Sequence, residues 1–305
     1  MSELPNLASP RELMLLLERY GLKPQHGLGQ NFLIDGNTIR KIVAAAALEP
    51  GEGVVEIGPG AGAITLAMAR LQAHLLAIEL DRGLAGMLSD LLRPFPLVTV
   101  LQADALSIDW PALLKRSFPP GRPVKLVSNL PYYISAPLLY KLFQEKFPFD
   151  RAVLMFQKEV AQRLTALPGD PSYGNLSVLC QYYTDAAILF KVSRRAFWPS
   201  PGVDSVVLAM EPRPRELTAA EELAFWRIVR SVFQQRRKTL LNSLALAFPY
   251  PRELAAALLD SAGIKPVRRP ETLSVGEFAT LSRIIYNYER KNERVAGDDD
   301  VPQPQ

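Results

Sequence analysis

In VVEIGPGAGAIT (54–65) a β-rich run ends in three glycines, Gly58, Gly60 and Gly62, and the helix-forming run AITLAMARL (63–71) follows at once. A strand and a helix joined by so short a glycine-rich turn open a βαβ unit, and the missing side chains let a ligand approach the backbone. The same alternation continues over the first two thirds of the chain. HLLAIEL (74–80), LVTVLQA (97–103), VKLVSN (124–129) and AVLMF (152–156) are apolar runs of strand length separated by helix-like segments. Such alternation implies parallel strands in an α/β, doubly wound sheet. AAILFKV (186–192) and DSVVLAM (204–210) break the pattern. The loop between them, with RRAFWPSPG, has no room for a crossover helix, so they are expected as an antiparallel pair at the sheet edge.

At about 150 residues per domain, 305 residues suggest roughly two domains. An N-terminal extension (1–20) carries the amphipathic segment RELMLLLERY, expected as a helix packed on the catalytic domain that follows (21–212). The charged, proline-containing stretch EPRPRE (211–216) reads as a linker to a helical domain (213–290). There Phe225, Ile228, Val229, Val232, Phe233, Leu240, Leu241 and Leu244 recur at helical spacing, which predicts helix over 225–244. Further helices are expected at 253–262 and 274–288. The last residues (291–305), ending GDDDVPQPQ, are expected to be disordered.

No apolar run reaches about 18 residues, so no membrane span is expected. The N-terminus lacks the basic-then-apolar order of a secretory signal. One cysteine and two histidines argue against a disulfide framework or a metal site, and a reducing, cytoplasmic setting fits best. The formal charge is +4. Without the three aspartates of residues 298–305, each −1, the remainder carries +7, which permits a nucleic-acid partner without demanding one.

Acids follow the glycine turn at strand ends. Glu79 closes the second strand and suits a ribose diol. Asp104, in QADAL after the third, could accept from an exocyclic amine. Each feature alone has a bland explanation: a tight turn, a helix cap, a solvated loop. Together, at the ends of three successive strands, they point to an adenosine-containing cofactor, because ligands of open α/β sheets bind at that edge. The glycine spacing is G-x-G-x-G and no phosphate-loop motif occurs. Glu56, just before the glycines, would repel a pyrophosphate and suits an ammonium and a sulfonium. S-adenosylmethionine satisfies all of these features.

SNLPYYIS (128–135) ends the fourth strand on the same edge. The exocyclic amine of adenine is a poor nucleophile because its lone pair is delocalised into the ring. Two acceptors on the amine hydrogens, the Asn129 side-chain oxygen and the Leu130 carbonyl, would localise that pair. Pro131 has no N–H and a fixed φ, so it stiffens the turn. Tyr132 offers a stacking face worth roughly 1–3 kcal/mol per base. Such a transfer needs positioning and electrostatics but neither a metal nor a strong general base. A plain strand-ending turn is the alternative.

At this point the chain resembles the KsgA-type ribosomal RNA adenine N6,N6-dimethyltransferases, from about Gly21 to Tyr286. The motifs that carry the resemblance are LGQNFLID (28–35), VVEIGPGAGAIT, AIELD (77–81), QADAL (102–106), SNLPYYIS, QKEVAQRL (157–164), SYGNLSVLCQYY (172–183), AFWPSPGVDS (196–205) and VFQQRRKTLLNSL (232–244). It implies a class I methyltransferase sheet, mostly parallel with one antiparallel edge strand, and a small C-terminal helical domain. It implies that Asn31, Leu33, Gly58, Glu79, Asp104 and Asn129 contact S-adenosylmethionine, with Gln30 beside them and S-adenosylhomocysteine as product. Glu56 and Gly60 join this set from the reading of the glycine turn. It further implies that Asn129, Leu130 and Tyr132 handle the target adenine, with Phe197 stacking on its other face. The family transfers four methyl groups to two adjacent adenosines in a hairpin loop near the 3′ end of small-subunit rRNA, on a partly assembled subunit. Each base must leave its stack to react. Nothing in the sequence demands a dimer, and a monomer is expected. KPQHGL, before GQNFL, is less basic than in some members, and Tyr133 stands where some carry Asn.

From Leu223 to Pro251 there is no acidic residue, while Arg227, Arg230, Arg236, Arg237 and Lys238 fall within twelve residues. Arg230, Gln234 and Arg237 follow helical spacing opposite much of the apolar stripe, a face that suits phosphate contacts, which position RNA without reading it. Arg230, Arg236, Arg237 and Lys238 are the candidate RNA-binding residues. A solvated helix face is the alternative, and Arg268 and Arg269 could extend the patch.

Three rivals share parts of this pattern. Erythromycin-resistance methyltransferases typically show Ile where Leu130 stands. Relatives of the fold act as mitochondrial transcription factors without needing methyl transfer, but the cofactor acids and the Asn129–Tyr132 motif are intact here. DNA adenine methyltransferases usually carry a Pro-Pro-Tyr motif instead.

Overall fold

A computed structural model describes residues 4–25, 27, 29–121, 124–235 and 238–298. The chain forms two compact units, one of Met1–Gln162 with Thr184–Pro212, the other of Arg163–Tyr183 with Arg213–Gln305. In chain order the elements are α1 (Pro10–Arg19), β1 (Phe32–Leu33), α2 (Gly36–Ala46), β2 (Gly53–Ile57), α3 (Ala63–Ala69), β3 (His74–Glu79), α4 (Arg82–Leu91), β4 (Val98–Gln102), α5 (Trp110–Ser117), β5 (Val124–Asn129), α6 (Ser135–Gln144), β6 (Phe149–Gln157), α7 (Lys158–Thr165), α8 (Asn175–Tyr183), β7 (Thr184–Val192), β8 (Phe197–Trp198), β9 (Ser205–Pro212), α9 (Ala219–Phe233), α10 (Leu240–Ala247), α11 (Arg252–Ser261) and α12 (Val275–Asp298).

The first unit is built on a seven-stranded sheet of order β4-β3-β2-β5-β6-β9-β7. β2 to β6 run parallel, and β9 pairs antiparallel with both β6 and β7. The antiparallel strand is therefore one position in from the edge, and β7 is the edge itself. β2, β3 and β5 are buried almost throughout, as strands covered on both faces must be. Ile39, Ile42 and Val43 of α2 and Ile64 and Met68 of α3 pack on Val54, Leu75, Val127 and Val153 of the sheet. The amphipathic α1 buries Leu13 and Leu17 in a cluster with Leu84, Met87 and Leu88 of α4, as its periodicity predicts. β1 pairs with β8, which sets Leu33 opposite Phe197. From β2 the chain moves outward to β3 and β4, then crosses back to β5. The crevice at the C-terminal ends of β2 and β5 is thus a topological switch point, where ligands of such sheets bind.

The second unit packs α9 and α12 around an aromatic core. Tyr182 stacks on Phe225 at 4.7 Å between ring centroids, and Phe278 lies against Phe225 and Phe233. The Tyr173 hydroxyl donates to the Leu273 carbonyl at 2.8 Å. Thr218 and Glu221 form a capping box that starts α9. The helix predicted over 225–244 is broken: α9 ends at Phe233 and α10 begins after Thr239, whose hydroxyl caps it. Hydrophobic spacing persists across the break because both helices bury the same kind of stripe, so periodicity alone does not show it. α12 also runs beyond residue 290, to Asp298, since ERKNERVA contains no helix breaker. Residues 299–305 lie outside the described residues.

Candidate active site

The glycine turn is constrained by its neighbours. Gly58 and Gly60 have φ of +70° and +59°, which side-chain-bearing residues rarely adopt. A Cβ on Gly60 would come within 3.1 Å of the Phe32 ring. The Gly58 N–H donates to the Ile78 carbonyl at 2.8 Å, and the Gly60 N–H donates to Oε2 of Glu79 at 3.0 Å. The turn is thereby fastened to the end of β3. Ser128 Oγ donates to the Ile57 carbonyl, fastening β5 to β2 at the same level.

One cleft, enclosing about 950 Å³ including solvent at its opening, is lined by Gln30, Asn31, Leu33, Glu56, Gly58, Gly60, Glu79, Asp104, Asn129, Leu130 and Tyr132. These are all the residues singled out in the sequence for cofactor and base except Phe197. That ring is 3% exposed, sits in the core with Leu33, Val192 and Val207, and does not line the cleft. Its pairing through β8 with β1 turns it inward, so in this arrangement it offers no face for stacking. Asn31 Nδ2 donates to the Gly29 carbonyl at 2.9 Å. Asp104 is exposed and turns its carboxylate on its own loop, accepting from the Leu106 N–H at 2.9 Å and from Ser107 Oγ at 3.1 Å. Asp104 thus closes a turn at the cleft wall and caps no helix, since α5 begins after Asp109, whose side chain caps it.

The carboxylates differ in environment. Glu56 is 2% exposed, and burial pushes its carboxyl up to about 8, with the Glu79 charge adding to the rise. Thr65 opposes the rise, yet no well-formed hydrogen bond closes, and Glu56 Oε2 and Thr65 Oγ1 are both buried without a partner. Burial also raises Glu79, against the pull of the Asp81 and Gly60 N–H groups that it accepts.

At the end of β5, Asn129 Oδ1 is buried and unpartnered, while Leu130 keeps its side chain in the core at 1% exposure. The Tyr132 hydroxyl lies 3.0 Å from Ser205 Oγ at the start of β9, and burial raises its phenol against that hydrogen bond. Tyr133 is 49% exposed. Ser205, Ser128 and Asp81 were not singled out in the sequence. All three sit inside or beside quoted motifs, but their contacts span 73, 71 and 56 residues respectively, beyond the reach of local patterning.

The basic cluster of the second unit is only partly free. Arg227 pairs with Glu289 and lies 5.1 Å over the Phe248 ring, and Arg268 pairs with Glu277. The acid-free stretch is thus compensated from α12, distant in sequence. Arg230 is exposed on the last turn of α9. Lys238 is exposed and borders a shallow groove with Asn242 and Arg252. Arg236 and Arg237 lie outside the described residues. No helix among the described residues is long and apolar enough to cross a membrane.

A family model described as ribosomal RNA adenine dimethylase matches residues 21–287. Proteins named ribosomal RNA small subunit methyltransferase A from Bacillus thuringiensis (strain Al Hakam) and Bacillus mycoides (strain KBAB4) are each 42% identical over 284 residues, spanning 92% of this chain and 97% of theirs. A crystal structure of a dimethyladenosine transferase from Plasmodium falciparum aligns with a TM-score of 0.69 at 26% identity, over 85% of this chain and 98% of that one. The structure of the 23S rRNA methyltransferase ErmE aligns at 0.62 and 28% identity, over 83% and 99%. With the family model covering most of its length and the expected cleft at its switch point, this chain belongs to the ribosomal RNA adenine dimethylase family.

Proposed function

We propose that this chain uses S-adenosylmethionine to dimethylate N6 of two adjacent adenosines in the 3′-terminal hairpin loop of small-subunit rRNA. In this reading it acts as a monomer, in the cytoplasm, on a partly assembled subunit. The observation that carries the chemistry is the buried, unpartnered Oδ1 of Asn129, in the same cleft as the glycine turn and Glu79. The 42% identity to relatives named for the small subunit supports that substrate over the large-subunit alternative.

The residues present fit the cofactor. Two orphaned buried oxygens, on Glu56 and Asn129, await donors, and the Gly58–Gly60 turn offers backbone where a Cβ would crowd Pro131 or Phe32. When bound, S-adenosylmethionine supplies a methyl group on an electron-poor sulfur. Glu79, held by two backbone N–H groups, would receive the ribose diol with its remaining lone pairs. Glu56 would receive the ammonium, and Asp104 the adenine amine of the cofactor. On the substrate side, Asn129 Oδ1 and the Leu130 carbonyl accept from the target amine and localise its lone pair. Tyr132 holds the flipped base by stacking. Arg230 and Lys238, with Arg236 and Arg237, contact RNA phosphates.

The test is incubation with radiolabelled S-adenosylmethionine and three nucleic acids: unmethylated small subunits, naked large-subunit rRNA and duplex DNA. Dimethyladenosine in the small subunits alone is the expected result. Label in large-subunit rRNA would move the assignment to the resistance enzymes. Cofactor binding without any label would favour a binding factor.

A further inference from the structure

Asp81 follows Glu79 by two residues, and its carboxylate accepts from four donors. Oδ1 accepts from the Gly83 and Leu84 N–H groups at 2.8 and 3.0 Å and caps α4. Capping leaves Oδ2 free, and Oδ2 accepts from Nε2 of Gln25 at 2.6 Å and Nε2 of Gln30 at 3.2 Å. Its backbone N–H donates to Oε1 of Glu79 at 2.9 Å. The two glutamines are also bonded to each other: the Gln25 N–H donates to Oε1 of Gln30 at 2.8 Å, and the Gln30 N–H to the Gln25 carbonyl at 3.3 Å. Gly29, Gln30 and Asn31 line the cleft.

We propose that Asp81 is a positioning residue that ties Gln25 and Gln30, and with them the Gly29–Asn31 wall of the cleft, to the carboxylate of Glu79, so that cofactor affinity depends on it. The proposal rests on the reading of the cleft as the S-adenosylmethionine site. A charged acceptor makes these bonds stronger than neutral amide pairs. Asparagine at 81 would keep Oδ1 and the helix cap, since Asn caps as well as Asp. Its Nδ2 would face two amide donors. Gln25 can turn its amide over, but Gln30 cannot, because its Oε1 already holds the Gln25 N–H. The tether to Gln30 is lost while α4 keeps its cap. Gln25→Ala weakens the tether from the other side and leaves the cap untouched.

The experiment compares wild type, Asp81→Asn, Gln25→Ala and the double variant by calorimetric titration with S-adenosylmethionine and by amide hydrogen exchange of the ligand-free protein. Kd is expected to rise about fivefold to tenfold in Asp81→Asn. The double variant is expected to bind more weakly than Asp81→Asn, because Gln25, its amide turned over, still holds position 81 in the single variant. Exchange at the Gln30 N–H is expected to accelerate without ligand, and KM for the cofactor to move more than kcat. Unchanged affinity in Asp81→Asn, or a double variant that binds as tightly as wild type, would overturn the proposal. Gln30 exchange as slow in Asp81→Asn as in a wild type that binds would overturn the tether alone. A wild type that binds no S-adenosylmethionine would overturn the cofactor reading and the affinity claim with it.

Discussion

Gly58 and Pro131 touch so closely that a Cβ on the glycine would stand 2.7 Å from the proline Cγ. They follow neighbouring strands, β2 and β5, on either side of the switch point. The turn read as the cofactor cradle and the turn read as the base clamp are therefore packed directly on each other.

Replacing Gly58 with Ala should damage both turns. The positive φ and the rigid proline ring leave the new methyl nowhere to go, at a cost of about 1–3 kcal/mol in stability. Chemical denaturation should show that loss, and titration should show weakened S-adenosylmethionine binding.

Ser205 should act on the base through Tyr132. Ser205→Ala removes the hydroxyl 3.0 Å from the Tyr132 hydroxyl, worth about 1 kcal/mol or about fivefold in kcat/KM for RNA. Tyr132→Phe should lose a similar factor. The double variant should lose no more than either alone, which steady-state kinetics on small subunits can check.

Glu56 should make the ligand-free protein less stable as pH rises. Its folded-state value, about 8, lies above the ordinary 4.5, so the folded chain holds a proton that the unfolded chain has released. Stability is fully present below about pH 4.5. It should fall by about 1.4 kcal/mol per pH unit up to about pH 8 and then level off. Glu56→Gln should flatten this slope in denaturation curves taken across the window.

Two arginines of α9 should behave differently. Arg227→Ala breaks an ion pair with Glu289 and a contact with the Phe248 ring, and should lower the melting temperature of the helical unit by the equivalent of about 1 kcal/mol. Arg230→Ala should leave stability unchanged, weaken RNA binding uniformly, and reduce the slope of log K against log salt by about one. Differential scanning and filter binding at several salt concentrations separate the two.

The sheet and its cleft were legible because they are written locally. Buried parallel strands read as apolar runs, and Gly58, Glu79, Asp104 and Asn129 each stand at the end of one. What patterning misses is tertiary. The break between α9 and α10 preserves the hydrophobic spacing on both sides. The partners of Arg227 and Arg268 come from α12. Phe197 reads as an aromatic beside a proline-rich loop, and only its pairing opposite Leu33 shows that it faces inward. The Asp81 tether joins a loop to a helix cap across 56 residues in sequence.

The most direct test of Asn129 as the acceptor that activates the target amine is single-turnover methyl transfer to unmethylated small subunits at saturating S-adenosylmethionine. Digestion and mass analysis would quantify N6,N6-dimethyladenosine for the wild type and Asn129→Ala. The expected result is dimethyladenosine from the wild type and a fall of about a hundredfold or more in the variant, the scale of losing one preorganised polar partner, with cofactor still bound. An Asn129→Ala chain that methylates as fast as wild type, or wild-type label on any atom other than adenine N6, would contradict it.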